Sequence, residues 1–263
     1  MTPQELLARF HDEVRLAGAD IDPRHVVEED GPVRRDYPAD PGAPGAMIEC
    51  PTGLPPGEAD RWIARQRDFF TARRREVEWK VHGYDAPPDL AARLRRAGFD
   101  AGREEVVLLG EAADLAHEAP LPPGLRLRDV VTDEDWERTR AFMDGLFGTA
   151  RSWLADAHRD EQRTGPGTLH AVCVEDGAGA VLCFALLRLT PGCPFAGLWG
   201  GTTHPAWRRR GLYRATVAHR AGLARGAGVP LVRVDTSAMS RPILAGLGMH
   251  PVATTTPHLL SPA

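Results

Sequence analysis

Lysine is nearly missing from these 263 residues: Lys80 stands alone, and arginine supplies every other one of the 32 basic side chains. That skew reads as a compositional bias and assigns no function. Cysteine is sparse too. Cys50, Cys173, Cys183 and Cys193 show no paired short spacing, which argues against a zinc or dithiol redox motif and calls for no metal. Three of them lie in apolar, strand-like runs, where a free cysteine acts as a small hydrophobe, and a reducing cytosol is the expected compartment. No apolar run reaches membrane-spanning length, and Thr2-Pro3-Gln4-Glu5 lacks the apolar stretch of a signal peptide. A soluble, cytoplasmic chain is therefore expected. Charge of one sign is also wanting: a net −4 makes no general case for nucleic acid or a membrane as partner. What is present is ordinary globular material, 43% hydrophobic and 26% charged, enough for one large domain or two small ones.

The first half opens on Thr2, Pro3 and Glu5, a capping box with proline at the first helical position, followed by Leu6, Leu7, Phe10 and Val14 at helical spacing. Residues 29–57 are rich in proline, glycine and charge, with one short strand candidate at Ala46–Cys50. A helix is expected over Glu58–Arg75. A half-buried strand follows, where Val77, Trp79 and Val81 alternate with Glu78, Lys80 and His82. Tyr84-Asp85-Ala86-Pro87-Pro88 breaks it. A helix over Asp89–Ala97 then ends at Gly98, and Val106–Leu109 is another strand.

Proline and glycine cluster again at Pro120–Gly124, which sets the expected division into residues 1–120 and 121–263. Beyond it come a strand at Leu125, Leu127 and Val130, then a helix capped by Thr132–Asp135 and carrying Trp136, Phe142, Leu146 and Phe147. A hairpin turns at Asp176–Gly179, and an aromatic strand runs over Phe195–Trp199. After a long helix come the strand Leu231–Val234, a short helix near Arg241–Leu247 and a last strand over Val252–Leu260. Leu94-x-x-x-Gly98-Phe99 and Leu244-x-x-x-Gly248-Met249 each close a helix before a strand, one in each half, so the first half reads as a worn relative of the second.

The most informative stretch is Gly201-Thr-Thr-His-Pro-Ala-Trp-Arg-Arg-Arg-Gly-Leu-Tyr-Arg214, which joins the aromatic strand to a helix start at Leu212–Ala218. A glycine at such a turn lets backbone N–H groups approach an anion, and the helix aims its unpaired N–H groups and positive dipole end at the same place. Arg208, Arg209, Arg210 and Arg214 add guanidinium forks suited to phosphate oxygens. The stretch reads as a diphosphate site.

Arg208-x-x-Gly211 between a strand and a helix resembles the acyl-CoA signature of the GNAT superfamily of N-acetyltransferases, departing from it at Tyr213, where glycine or alanine is usual. The resemblance covers residues 125–263. It implies an α/β (α+β) fold with a mixed, largely antiparallel sheet flanked by helices, here in tandem, with the first half degenerate and the second catalytic. It further implies acetyl-CoA as cosubstrate, a small-molecule amine as acceptor, and direct transfer without a covalent enzyme intermediate. A homodimer stays open. By the same resemblance Gly201, Thr202 and Thr203 hold the pantetheine arm, and Arg208, Arg209, Arg210, Gly211, Leu212, Tyr213 and Arg214 hold the diphosphate.

Amide formation needs a deprotonated amine, a donor for the developing charge and a proton for the departing thiolate. The family's strand carboxylate is missing here, and its tyrosine acid falls on Leu244. The candidates for proton transfer are His204, His170 and Asp235; Ser237 and Ser240 could bond to the thiol or pantetheine, but helix capping is the stronger reading, Ser240 before Arg241-Pro242 being a good N-cap. Glu78, Trp79, His82, Tyr84 and Asp85 form a polar-aromatic group that is either a solvated strand face or an acceptor pocket. Two other functions stay open: an acetyl-CoA-binding protein without turnover, and a nucleic-acid-binding module, which Arg208–Arg210 without an aromatic platform supports poorly.

Overall fold

The Thr2 hydroxyl accepts the Glu5 N–H and the Glu5 carboxylate accepts the Thr2 N–H, so the capping box forms and starts helix α1 (Pro3–Phe10). The next six residues, His11–Leu16, widen into a π-helical turn that keeps Val14 buried. The structure, a computed structural model, describes residues 1–149 and 152–261. It divides into two compact units: Met1–Leu108 with Asp235–Pro242 and Pro251 onward, and Leu109–Val234 with Ile243–His250. Pro120–Gly124 lies inside the second. No helix among the described residues is long and apolar enough to cross a membrane.

The first unit holds β1 (His25–Asp30), β2 (Val33–Pro38), β3 (Ala46–Glu49), α2 (Ala59–Ala72), β4 (Val77–His82), α3 (Leu90–Arg96), β5 (Asp100–Ala101) and most of β6 (Glu105–Glu111). It also holds nearly all of the chain's last strand, which pairs antiparallel with β4 from Thr255 opposite His82 to Leu260 opposite Val77. The β1–β2 hairpin had no strand signal in the sequence, where only Ala46–Cys50 stood out in the charged, proline- and glycine-rich stretch 29–57. Its strands join through charge: Glu28 faces Arg35 and Glu29 faces Arg34, with ion pairs at 3.0 and 2.6 Å. Cross-strand ion pairs stand where apolar alternation would have signalled a strand. The core packs Ile48, Ile63, Phe70, Trp79, Leu90, Leu94 and Phe99 together.

The second unit begins with the end of β6 and α4 (Ala112–Leu115), then β7 (Arg126–Asp129), α5 (Asp133–Phe147), α6 (Trp153–Thr164), β8 (Leu169–Glu175), β9 (Val181–Leu189), β10 (Phe195–Thr203), α7 (Leu212–Gly226) and β11 (Leu231–Thr236). Its strands lie in the order β11-β10-β9-β8-β7, with only β10 and β11 parallel among these pairs. Trp136, Ala155, Phe184 and Leu186 pack with one face of this sheet, and Leu212 packs with Val174 and Cys183. Helix α6 was not expected: Ala155 is its one buried residue, so its apolar stripe is too thin to read as a period.

The two Leu-x-x-x-Gly echoes share one geometry. Gly98 and Gly248 are both left-handed, at φ +96° and +101°. Phe99 N–H donates to the Leu94 carbonyl at 3.0 Å, and Met249 N–H to that of Leu244 at 3.1 Å. The first closes α3; the second closes α8 (Arg241–Ala245) and leads into β12 (His250–Leu260). The pairing of β3 with β4 is parallel, like that of β10 with β11. The sheet is mixed and largely antiparallel, flanked by helices, with two halves built on one plan.

Candidate functional site

Two local features shape the end of β10. Its register against β9 shifts: Trp199 faces Leu186 and Thr202 faces Phe184, so Gly200 and Gly201 together oppose Ala185. Gly200 has φ +62°, which marks a β-bulge where a side chain would be strained. Against β11 the register covers only Phe195–Gly197, opposite Leu231–Arg233. Past Gly197 the two parallel strands part, and β10 carries its bulge where that parting begins.

The connection to α7 is built from short-range capping. The Ala206 N–H donates to His204 Nδ1 at 3.3 Å, starting the 3₁₀ turn Pro205–Trp207. Arg208 Nε donates to the Thr203 carbonyl at 3.4 Å, and the Arg210 guanidinium lies 4.7 Å over the Trp207 ring. Arg209 and Gly211 both take left-handed backbone, at φ +64° and +86°. For arginine that conformation costs roughly 1–2 kcal/mol, and such strain held in place often marks a ligand site. Left-handed residues this close together belong to the backbone geometry of anion-binding concavities.

Helix α7 then starts at Leu212, which is 1% exposed and so fixes where the helix begins. No side chain caps it, and the first intrahelical bond runs from Ala215 N–H to the Gly211 carbonyl at 3.0 Å. The N–H groups of Leu212, Tyr213 and Arg214 thus have no acceptor within the helix. Arg208, Arg209, Arg210, Gly211 and Arg214 are exposed. Open N–H groups and several guanidinium groups converge on a solvent-facing turn, which is what an oxyanion-rich ligand requires. The Tyr213 ring turns inward: a Cβ on Gly201 would stand 2.5 Å from Tyr213 Cε2. Only its N–H is left at the turn.

The first half has no such turn. There β3 leads to α2 through Cys50-Pro51-Thr52-Gly53-Leu54-Pro55-Pro56-Gly57-Glu58, without one arginine. Leu54 is 2% exposed and donates its N–H to the Ala86 carbonyl at 2.8 Å. Pro55 and Pro56 have no N–H to offer, and Glu58 puts a carboxylate at the N-cap of α2. This turn is closed by its own contacts and repels anions.

The proton-transfer candidates are dispersed. His204 is exposed and uses Nδ1 as a cap. His170 stands in β8 opposite Leu187. Asp235 is ion-paired with Lys80 at 2.5 Å; burial opposes the lysine's charge, but Asp235 outweighs it and pushes Lys80 up to about 12. Ser237 belongs to the first unit, its Oγ 3.4 Å from that of Ser240. Ser240 donates to the Ser237 carbonyl at 3.4 Å. Leu244 is fully buried. In the polar-aromatic group, Trp79 is core, His82 is 2% exposed and held neutral by burial and by Arg15 and Lys80, and Asp85 is paired with Arg15. Burial turns most of that group into structure.

Residues not anticipated surround the bulge. The Trp199 ring lies between two guanidinium groups, Arg188 at 5.6 Å and Arg233 at 5.7 Å, and Arg220 reaches the strands from α7. Arg188 is bidentate with Glu161 of α6 at 2.8 and 2.7 Å. Burial pushes the Glu161 carboxyl up, but the Arg188 hydrogen bonds outweigh it and hold it at about 2, against an ordinary 4.5. A carboxyl depressed on folding adds stability above its unfolded value and loses it as pH falls from about 4.5 through 2. Glu161→Gln should therefore be clearly less stable than the parent chain in urea at pH 6. By pH 3 most of that gap should close; a gap independent of pH would refute the pairing.

No family model and no curated protein matches the chain. Solved structures do. A GCN5-related N-acetyltransferase from Kribbella flavida is 20% identical, with a TM-score of 0.72 over 97% of this chain and 95% of that one. A tandem GNAT protein from the clavulanic acid biosynthesis pathway is 18% identical, with a TM-score of 0.66 over 98% and 95%. A GCN5-related N-acetyltransferase from Sphaerobacter thermophilus is 18% identical, with a TM-score of 0.64 over 88% and 76%.

Proposed function

The chain has the GNAT fold in its tandem form, and we propose that it is an acetyl-CoA-dependent N-acetyltransferase whose second unit holds the cosubstrate. One observation carries the reading: uncapped N–H groups at Leu212–Arg214 and exposed arginines share the turn that leaves a bulged strand where β10 and β11 part. The diphosphate would lie against Gly211, Leu212, Tyr213 and Arg214 with Arg208, Arg209 and Arg210 around it. The pantetheine arm would run along Gly201, Thr202 and Thr203, whose edge away from β9 has no registered partner in β11.

In the proposed reaction the lone pair of a small, amino-acid-like amine attacks the thioester carbonyl carbon. The C–N bond forms, the C–S bond breaks, the nitrogen loses a proton and the thiolate gains one. His204, with Nδ1 engaged as a cap and Nε2 left over, is the candidate to take the proton. The Ser237 hydroxyl is the candidate to return one. A cytoplasmic setting fits four free, buried cysteines.

A second reading has a specific observation behind it. Leu244 is buried in the core where the family resemblance calls for a tyrosine acid, and Asp235 is tied to Lys80. On that reading the chain binds acetyl-CoA without turnover. Calorimetry with acetyl-CoA should give one site per chain, because the first-half turn is closed, and affinity should weaken with added salt. Two sites, or none, would overturn the assignment. Thiol release with a panel of primary amines then separates enzyme from binder.

A further inference from the structure

Arg220 lies two turns beyond Leu212 on α7, in step with Leu212 and Thr216 at four-residue spacing, and is 1% exposed. Burying a guanidinium group without a carboxylate beside it is unfavourable, and no ion pair reaches Arg220 among the described residues. Main-chain oxygens take the place of an anion. Nε donates to the Thr216 carbonyl at 2.9 Å, and Nη1 donates to the carbonyls of Leu186 at 2.8 Å and Trp199 at 3.4 Å. Nη2 has no partner. A charge so placed is badly solvated, and burial pulls its pKa down.

The two strand carbonyls are informative. Leu186 and Trp199 are the last registered pair of β9 and β10 before the bulge, and Phe184 with Thr202 is the first pair after it. One side chain therefore ties both strands together where the register breaks. Tyr213, two turns earlier on the same helical face and bonded through its side chain to Arg220, packs its ring under Gly201 on the same bulge. Both residues come from α7, so the helix that presents the diphosphate turn also sets the shape of the strand.

We propose that Arg220 is a positioning residue for the thioester arm: by clamping the Leu186 and Trp199 carbonyls it holds the Gly200–Gly201 bulge that leaves Gly201–Thr203 facing the pantetheine. The inference rests on the reading that acetyl-CoA lies along β10. Arginine suits the task because its planar fork spans separate acceptors, whereas a lysine ammonium is a point charge on a flexible stem.

The test compares acetyl-CoA with 3′-phospho-ADP, which keeps the diphosphate and lacks the arm. The parent chain should bind acetyl-CoA more tightly than 3′-phospho-ADP. Arg220→Met should weaken acetyl-CoA by about tenfold, the range for lost hydrogen bonds to a charged group, and leave 3′-phospho-ADP unchanged. Arg220→Lys should lose less, and carries the test alone if the methionine variant does not fold. Unchanged acetyl-CoA affinity, or an equal loss for both ligands, would overturn the clamp. A parent chain that binds neither ligand would instead overturn the diphosphate site on which the clamp depends.

Discussion

Replacing Gly211 by aspartate should abolish acetyl-CoA binding, the largest effect expected of any single change at the turn. Gly211 sits at φ +86° directly before Leu212, a left-handed backbone that aspartate and asparagine both tolerate. Aspartate sets a carboxylate against the incoming phosphates, and two like charges 4 Å apart at a protein surface repel by about 4 kcal/mol. That repulsion reduces affinity on the order of a thousandfold. Gly211→Asn isolates the charge. Asparagine tolerates left-handed backbone and carries no charge, so most binding should survive. Calorimetry on both variants decides the matter, with circular dichroism to confirm that they are folded. An aspartate variant that bound acetyl-CoA like the parent would remove the diphosphate site from consideration.

Asp85→Ala should produce the largest loss of stability. Arg15 and Asp85 face each other through two hydrogen bonds, at 2.8 and 3.3 Å, with side chains only 2% and 1% exposed. Asp85 also accepts the His82 N–H at 2.8 Å. Truncating one partner leaves a buried guanidinium group without its counter-charge, which costs about 3–5 kcal/mol. The urea midpoint of the first unit should fall accordingly. The double variant Arg15→Met with Asp85→Leu should recover much of the loss, since apolar groups of similar volume need no counter-charge. If the single and double variants were equally unstable, packing and not charge would be the cause.

Much of this was legible from short stretches of chain. The capping boxes at Thr2–Glu5 and Thr132–Asp135 formed as their spacing implied, because each is a contact among neighbours. The hairpin at Asp176 formed for the same reason, its carboxylate accepting the N–H groups of Ala178 and Ala180. The β1–β2 hairpin was not legible, since its strands are joined by Arg–Glu pairs that look like loop composition. Helix α6 was missed for its thin apolar stripe. Arg220 had a faint signal, an arginine on the apolar face shared by Leu212 and Thr216, but its acceptors lie on two other strands.

What the amino-acid order determined alone is the turn itself: arginines at 208–210 and 214, a glycine able to go left-handed at 211, and an apolar Leu212 that starts a helix. Those properties depend on residues within one or two turns of each other, where the chain has few alternatives. Tertiary structure alone decided that the final strand pairs with β4. It alone parted β10 from β11 after Gly197 and set Arg220 under the bulge. Strand partners are chosen among many segments of similar propensity, by burial and register over the whole chain, and no local pattern encodes that choice.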